Sequence, residues 1–200
     1  MLDDCLSGED TTSGFGVVLI ARGHEVGGGD ARYDVGTFAD IDTVVREPDG
    51  QAVLSCTGRW RFRVIEWLPE GIDEPATTSP NSPAPHPPAP YPRAPYPRAL
   101  IRPLSEPPAD AASTQRLLEI GTRIRTLVDD SFRGRGLPTD ELPRFDAADL
   151  TRVGVFGWAA RLPIGAADRQ ALLEAADAEA RCHSFDDAVS TLEARIRFGA

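Results

Sequence analysis

His183 and Ser184 stand side by side, with Asp186 and Asp187 just beyond, and together they supply the residue types of a Ser-His-Asp hydrolase. Their spacing defeats that chemistry. Neighbouring helix positions point about 100° apart, so hydroxyl, imidazole and carboxylate cannot line up for proton transfer. The group reads as an exposed helix face. Ser55-Cys56 offers two nucleophile types in a predicted strand with no base nearby, and Cys56 is expected to be a small core residue. Gly27-Gly28-Gly29 has the composition of a phosphate-cradling loop. It lacks the Lys-Ser/Thr ending and is followed by Asp30, which repels phosphate, so a hairpin turn is expected. Cys5, Cys56, Cys182, His24, His86 and His183 show no metal-ligand spacing. All 21 basic residues are arginine, and a chain without lysine has neither the P-loop clamp nor a Ser–Lys dyad. These readings assign no catalytic residue, no cofactor site and no metal site.

One stretch joins basic and aromatic side chains. Arg59, Arg61 and Arg63 alternate with Trp60, Phe62 and Val64. Strand alternation predicts aromatics inside and arginines in water. Trp67 and Leu68 follow, and apolar surface left exposed there would form a peptide-binding patch. Trp60, Phe62, Trp67 and Leu68 are therefore the candidate peptide-contacting residues.

The elements that must hold these residues are short β runs. Residues 15–21 are continuously apolar and predict a strand buried on both faces. Residues 23–30 predict a glycine-rich turn. Residues 35–45 alternate, with Val35, Thr37, Ala39, Ile41 and Thr43 on one face. Glu47-Pro48-Asp49-Gly50 predicts a tight turn, 51–57 its returning strand, and Gly58 a break or bulge. So many strands in so few residues call for a small sheet that closes or coils strongly. Residues 99–104 predict an edge strand ending near Pro103. Between lie residues 75–97, ten of them proline, with APYPR at 89–93 repeated at 94–98. This tract predicts an extended, solvated spacer.

From residue 113 the period turns helical. Leu117, Ile120, Ile124, Leu127 and Val128 share one face of a helix to about 133, which Gly134, Gly136 and Pro138 end. Asp146 predicts an N-cap for a short helix continued by Leu150, Val153, Phe156 and Ala160. Helices follow over 166–175 and 178–197, the last with Cys182, Phe185, Val189, Leu192 and Ile196 inside. The fold class is α+β with segregated elements.

The charge of −10 is concentrated in the β part, where residues 1–72 hold 13 acidic residues against 6 arginines. Acidic surface repels phosphate backbones. The three distant cysteines predict no disulfide framework and place the chain in a reducing cytoplasm. No run is long and apolar enough for a membrane span, and the acidic start predicts no signal peptide.

The order of these motifs resembles the N-terminal, substrate-binding domain of the Lon protease family. The matching residues are Phe15-Gly16-Val17-Val18-Leu19-Ile20, Gly23, Glu25-Val26-Gly27, Val35-Gly36-Thr37, Ala39-Asp40-Ile41, Asp49-Gly50, Gly58 and Arg61-Phe62-Arg63-Val64. Tyr96-Pro97-Arg98-Ala99, Leu162-Pro163 and Arg169-Gln170-Ala171-Leu172-Leu173-Glu174 continue the likeness. It spans most of the chain apart from 72–90, and it rests on order and spacing, no single motif being specific. The resemblance implies a PUA-like β-barrel from 1–72 and 96–110, a proline-rich insertion at 73–95, and a helical bundle over 111–200. Two departures follow. Met1-Leu2-Asp3-Asp4-Cys5-Leu6 resembles the end of a later family helix, so the family's first strand is expected to be missing. The ATPase and peptidase domains are expected to be absent too, both of which need lysine. The implied function is a stand-alone, non-enzymatic module that binds unfolded polypeptide or a protein partner, on apolar surface of the barrel and its junction with the bundle. Because PUA-like folds can bind RNA, an RNA-binding module using Arg59, Arg61 and Arg63 is the alternative, which the acidic surroundings disfavour.

Overall fold

The computed structural model describes residues 2–6, 13–22, 31–69, 94–106, 108–136, 138 and 142–198. The turn expected at 23–30 and residues 75–93 of the spacer expected at 75–97 lie outside them. The chain divides into two compact units, Met1–Ser105 and Glu106–Ala200.

Among the described residues the first unit holds a short helix α1 (Leu2–Leu6) and four strands, β1 (Gly14–Arg22), β2 (Ala31–Arg46), β3 (Ala52–Trp67) and β4 (Ala99–Pro103). The strands form one antiparallel sheet in chain order. Among the described residues it stays open, with β1 and β4 at its edges. Pro103 ends β4, where a missing N–H does least harm to the ladder. The β2–β3 turn is the predicted one. Gly50 donates to the Glu47 carbonyl at 3.1 Å, and Glu47 donates to that of Gln51 at 2.8 Å. Asp49 accepts the Gln51 N–H at 3.0 Å. Gly50 takes φ 88°, a conformation that disfavours any residue with a Cβ.

Register shifts occur between Phe38 and Ala39, Ile41 and Thr43, and Val64 and Glu66. The first leaves Arg59 as the extra residue beside Gly58, as the glycine predicts. The second leaves Asp42 unpaired, so Thr43 is not the continuation of the Val35–Ala39 face expected from simple alternation. Such bulges bend strands and raise their twist. Burial then occurs on both sides of the sheet. Val35 pairs with Arg63 and Gly36 with Phe62, so Val35 and Phe62 project from opposite faces. They are only 1% and 2% exposed. The expectation that β1 is buried on both faces is corrected, since Val17 and Ile20 are 50% and 51% exposed. β1 is an edge strand, and an apolar run does not by itself bring a cover. Cys56 is also exposed, contrary to its expected core role, because it lies on the outer hairpin arm opposite Ile41.

Helix α1 is tied to this sheet by polar contacts. Arg46 donates to Asp3 at 2.6 Å and the Tyr96 hydroxyl to Asp4 at 2.7 Å. The Tyr96 bond holds the Asp4 carboxyl below its ordinary range, and the same bond pushes the Tyr96 hydroxyl up.

The second unit contains α2 (Ala111–Arg133), α3 (Ala147–Ala160), α4 (Ala166–Glu174) and α5 (Ala178–Phe198). Aspartates begin three of them. Asp110, Asp146 and Asp177 accept the N–H groups of Ser113, Asp149 and Ala180 at 2.7, 2.9 and 2.8 Å. Each satisfies a donor that the helix cannot. Leu117, Ile120 and Ile124 of α2 pack with Cys182, Phe185, Val189 and Leu192 of α5, as their spacing predicts. Ile196 is an exception and is exposed. Arg123 clamps α2 to α5 through Asp186 and through Glu193 at 2.9 Å.

The inner face of α3 combines fully and partly buried residues, and Leu150, Val153 and Phe156 pack against the core. Val155, Trp158 and Ala159 are buried, whereas Leu150, Val153 and Phe156 are half-buried and Ala160 is exposed. Gly154 has φ 65° and ψ 179°, which breaks the helix in its middle. A 3.6-residue period cannot be carried through that break, so the phase changes.

Candidate functional site

Three aromatic rings share one face of the sheet. Phe38 stacks on Trp60 with centroids 4.7 Å apart and planes within 5°. Phe62 meets Trp60 edge-on at 6.2 Å. The register puts Phe38 beside Gly16 on β1 and Phe62 beside Gly36 on β2. A Cβ on Gly14 would come within 2.6 Å of the Phe38 ring, and one on Gly16 within 2.9 Å of Phe62. The glycines are therefore the bed on which the rings lie. This explains their type without any phosphate or metal chemistry.

The four candidate peptide-contacting residues separate into two kinds. Phe62 and Leu68 are buried, the Leu68 N–H donating to the Arg98 carbonyl at 2.8 Å. Trp60 and Trp67 are half-buried and present part of their rings. The Arg32 guanidinium stacks over Trp67, 4.8 Å from the ring centroid. Aliphatic side chains that the sequence reading did not single out are more exposed. They are Val17, Ile20, Ile65 and Ile101, with Val45 and Val53 paired near the β2–β3 turn. Val17 and Ile20 were hidden by a continuous apolar run that reads as buried on both faces, whereas Ile65 shares the parity of Arg59, Arg61 and Arg63, the side that alternation assigns to water.

The three arginines do not form a row in water. Arg59 pairs with Asp40 at 2.8 Å, Arg63 is exposed, and Arg61 is only 4% exposed. Arg61 is thus a correction to the expectation of solvent-facing charges. On its face lie Val35 and Thr37, a side of the sheet that is itself partly buried. The Leu104 N–H donates to the Arg61 carbonyl at 2.8 Å, tying this part of β3 to the end of β4.

The hydrolase-like group on α5 does not assemble. The Ser184 hydroxyl donates to the Ala180 carbonyl at 3.0 Å, while His183 faces Asp187 at 3.5 Å on the exposed side. Burial raises the Cys182 thiol and also, to first order, that of Cys5. Among the described residues no group of three or more His, Cys, Asp or Glu side chains gathers to hold a metal ion. Nor is any described helix long and apolar enough to cross a membrane.

A firmly held buried carboxylate lies in the bundle. Asp149 is buried, and its carboxylate accepts Trp158 Nε1 at 2.9 Å and Arg152 and Arg161 at 2.6 Å each. Burial alone would raise its pKa. The bonds from Arg161, Arg152 and Trp158 outweigh that and hold it below the ordinary carboxylate value. With every partner a donor, the group is a structural anchor and has no proton to exchange at neutral pH. A cavity of about 330 Å³ is lined by Phe156, Ala159 and Ala160 of α3 and Arg169, Leu172 and Leu173 of α4. The sequence gives no warning of it, because the break at Gly154 sets which side chains meet.

Comparison with known proteins agrees with this architecture. A search of the curated proteins finds no match. Among solved structures, the N-terminal domain of Mycobacterium avium complex Lon protease is similar, with a TM-score of 0.53 at 15% identity. The match covers 94% of this chain and 82% of that one, and at such identity it is a likeness of fold. A family model described as the ATP-dependent protease La (LON) substrate-binding domain matches residues 1–185. With nearly its whole length inside that match, the chain belongs to the LON substrate-binding domain family.

Proposed function

We propose that this chain is a non-catalytic module that binds segments of unfolded polypeptide, or a protein partner, on its β-sheet unit. The observation that carries the reading is the set of aliphatic side chains that the sheet leaves in water, Val17, Ile20 and Ile65 among them. The half-exposed rings of Trp60 and Trp67 add apolar area. Contacts of this kind are weak and broadly specific, as suits a partner with no fixed fold. Family membership supports a substrate-binding role, and no described side chains converge into a nucleophile, base and oxyanion set. The free cysteines suit a reducing compartment such as the cytoplasm.

The test is a fluorescence titration of the protein with a reduced, carboxymethylated model polypeptide. Saturable change is expected. Val17→Thr, Ile20→Thr and Ile65→Thr keep β-branching but remove apolar surface, so the triple variant should fold and bind more weakly. No saturable binding by the wild type, or unchanged binding by the variant, refutes the proposal. Binding of single-stranded RNA at low salt, lost by Arg63→Ala, would favour the nucleic-acid alternative instead.

A further inference from the structure

We propose that the cavity between α3 and α4 captures the C-terminal residue of a polypeptide, taking an apolar side chain inside and the terminal carboxylate on Arg169. The inference rests on the polypeptide-binding reading for its class of ligand, and it places a second contact in the helical unit. The walls are apolar: Phe156, Ala159, Ala160, Leu172 and Leu173. Two adjacent alanines where larger residues would fill the space keep it open. Leu172 and Ala159 are buried and form a fixed floor.

Among the described residues, Arg169 is the one charged residue of the lining. Its Nη2 donates to the Leu162 carbonyl at 3.0 Å, which fixes the guanidinium. Nε and Nη1 have no partner among the described residues. The carboxylates nearest in sequence are engaged elsewhere. Asp168 accepts the Gly165 N–H at 3.0 Å, and Glu174 accepts Gln170 Nε2 at 2.9 Å. A held cation with free donors therefore adjoins an apolar hollow. Its complement is a carboxylate and an apolar group on neighbouring atoms. A C-terminal Leu, Ile or Phe carries both on one Cα, whereas an internal residue offers only a neutral amide. A fork of N–H donors also matches a carboxylate geometrically.

The experiment uses fluorescence anisotropy with the full chain and an N-terminally labelled octapeptide ending in leucine. The free acid is compared with its C-terminal amide and with a free acid ending in serine. The leucine acid should bind about tenfold tighter than the amide, the usual worth of one charge-assisted hydrogen bond pair. Arg169→Gln should bring acid and amide together. Ala160→Trp, at an exposed position, should block the mouth and weaken both, with the fold checked by circular dichroism. Equal binding of acid and amide by the wild type overturns the proposal, as does an Arg169→Gln variant that keeps the preference, or full binding by Ala160→Trp. If the carboxymethylated polypeptide binds through the sheet while the octapeptide shows no preference, only this inference falls. If neither binds, the polypeptide reading falls with it.

Discussion

Gly36 allows a sharp test of how the sheet is built. A methyl group there would lie 2.4 Å from the Val17 carbonyl oxygen, 2.7 Å from Phe62 Cζ and 2.7 Å from Val18 Cγ1. None of these can yield easily. The carbonyl belongs to β1, paired with β2 at this point, so relief requires prising the two strands apart. Phe62 is packed under Trp60 and has no solvent to swing into. Overpacking in a tight core costs about 1–3 kcal/mol, and a contact with backbone places Gly36→Ala near the upper end. Gly58→Ala is the matched control. Its nearest neighbour would be Thr37 Cγ2 at 3.1 Å, a side-chain contact that a few tenths of an ångström relieve. A strand alanine also loses less backbone entropy than glycine, by about 0.5–1 kcal/mol, so this variant should be neutral or slightly stabilised. Urea unfolding followed by near-ultraviolet and fluorescence signals should separate the pair by about 3 kcal/mol, with circular dichroism at the helical band reporting the other unit. If Gly36→Ala lies within about 0.5 kcal/mol of wild type, the ring-on-glycine account is wrong.

Asp149 predicts an acid-sensitive bundle. Its folded pKa is lowered from 3.8, so its stabilisation is complete above the unfolded value and is lost as pH falls through the lower folded one. The acid limb of the bundle's unfolding should therefore begin below about pH 4. Asp149→Asn should flatten that limb, and an unchanged pH profile would show that the three donors do not act through its charge. Asp146→Ala removes the N-cap of α3 and should lower stability by about 1 kcal/mol in thermal unfolding, whereas Asp146→Asn should recover most of it. Thiol labelling with a disulfide reagent should modify exposed Cys56 fast and buried Cys182 only on unfolding. Equal rates in the native state would contradict the packing of α2 against α5.

What the sequence showed plainly was whatever depended on neighbours in the chain. The Glu47–Gly50 turn, the bulge at Gly58 and the caps at Asp146 and Gly134 are short-range chemistry, and each is where its residues indicate. The inner faces of α2 and α5 were legible because both helices run unbroken through several turns. Legibility failed where a single residue reset the phase. Gly154 did so in α3, and Asp42 did so in β2. It failed again where burial depends on which strand lies beside which. Arg61 looked like a charge in water because alternation names two faces without saying that both are covered. The exposed aliphatics of β1 looked like core for the mirror-image reason. A candidate site made of exposed apolar groups is thus the kind of feature that periodicity hides most completely.

A surface that holds foreign chains weakly must also avoid holding copies of itself. The sheet unit faces that problem directly, since Val17, Ile20, Val45, Val53, Ile65 and Ile101 are all in solvent and two of its strands are edges. Exposed edges and apolar strands together favour self-association. Charge acts against this at longer range than apolar contact can act for it. The excess of acidic over basic residues in positions 1–72 repels an identical molecule over a Debye length of about 10 Å at 0.1 M salt. An unfolded segment of low or opposite charge feels little of that repulsion and can still reach the valines and isoleucines. Under the proposed polypeptide-binding role, the acidity of the β part and its exposed aliphatics would act together, charge deciding who approaches and apolar contact deciding who stays.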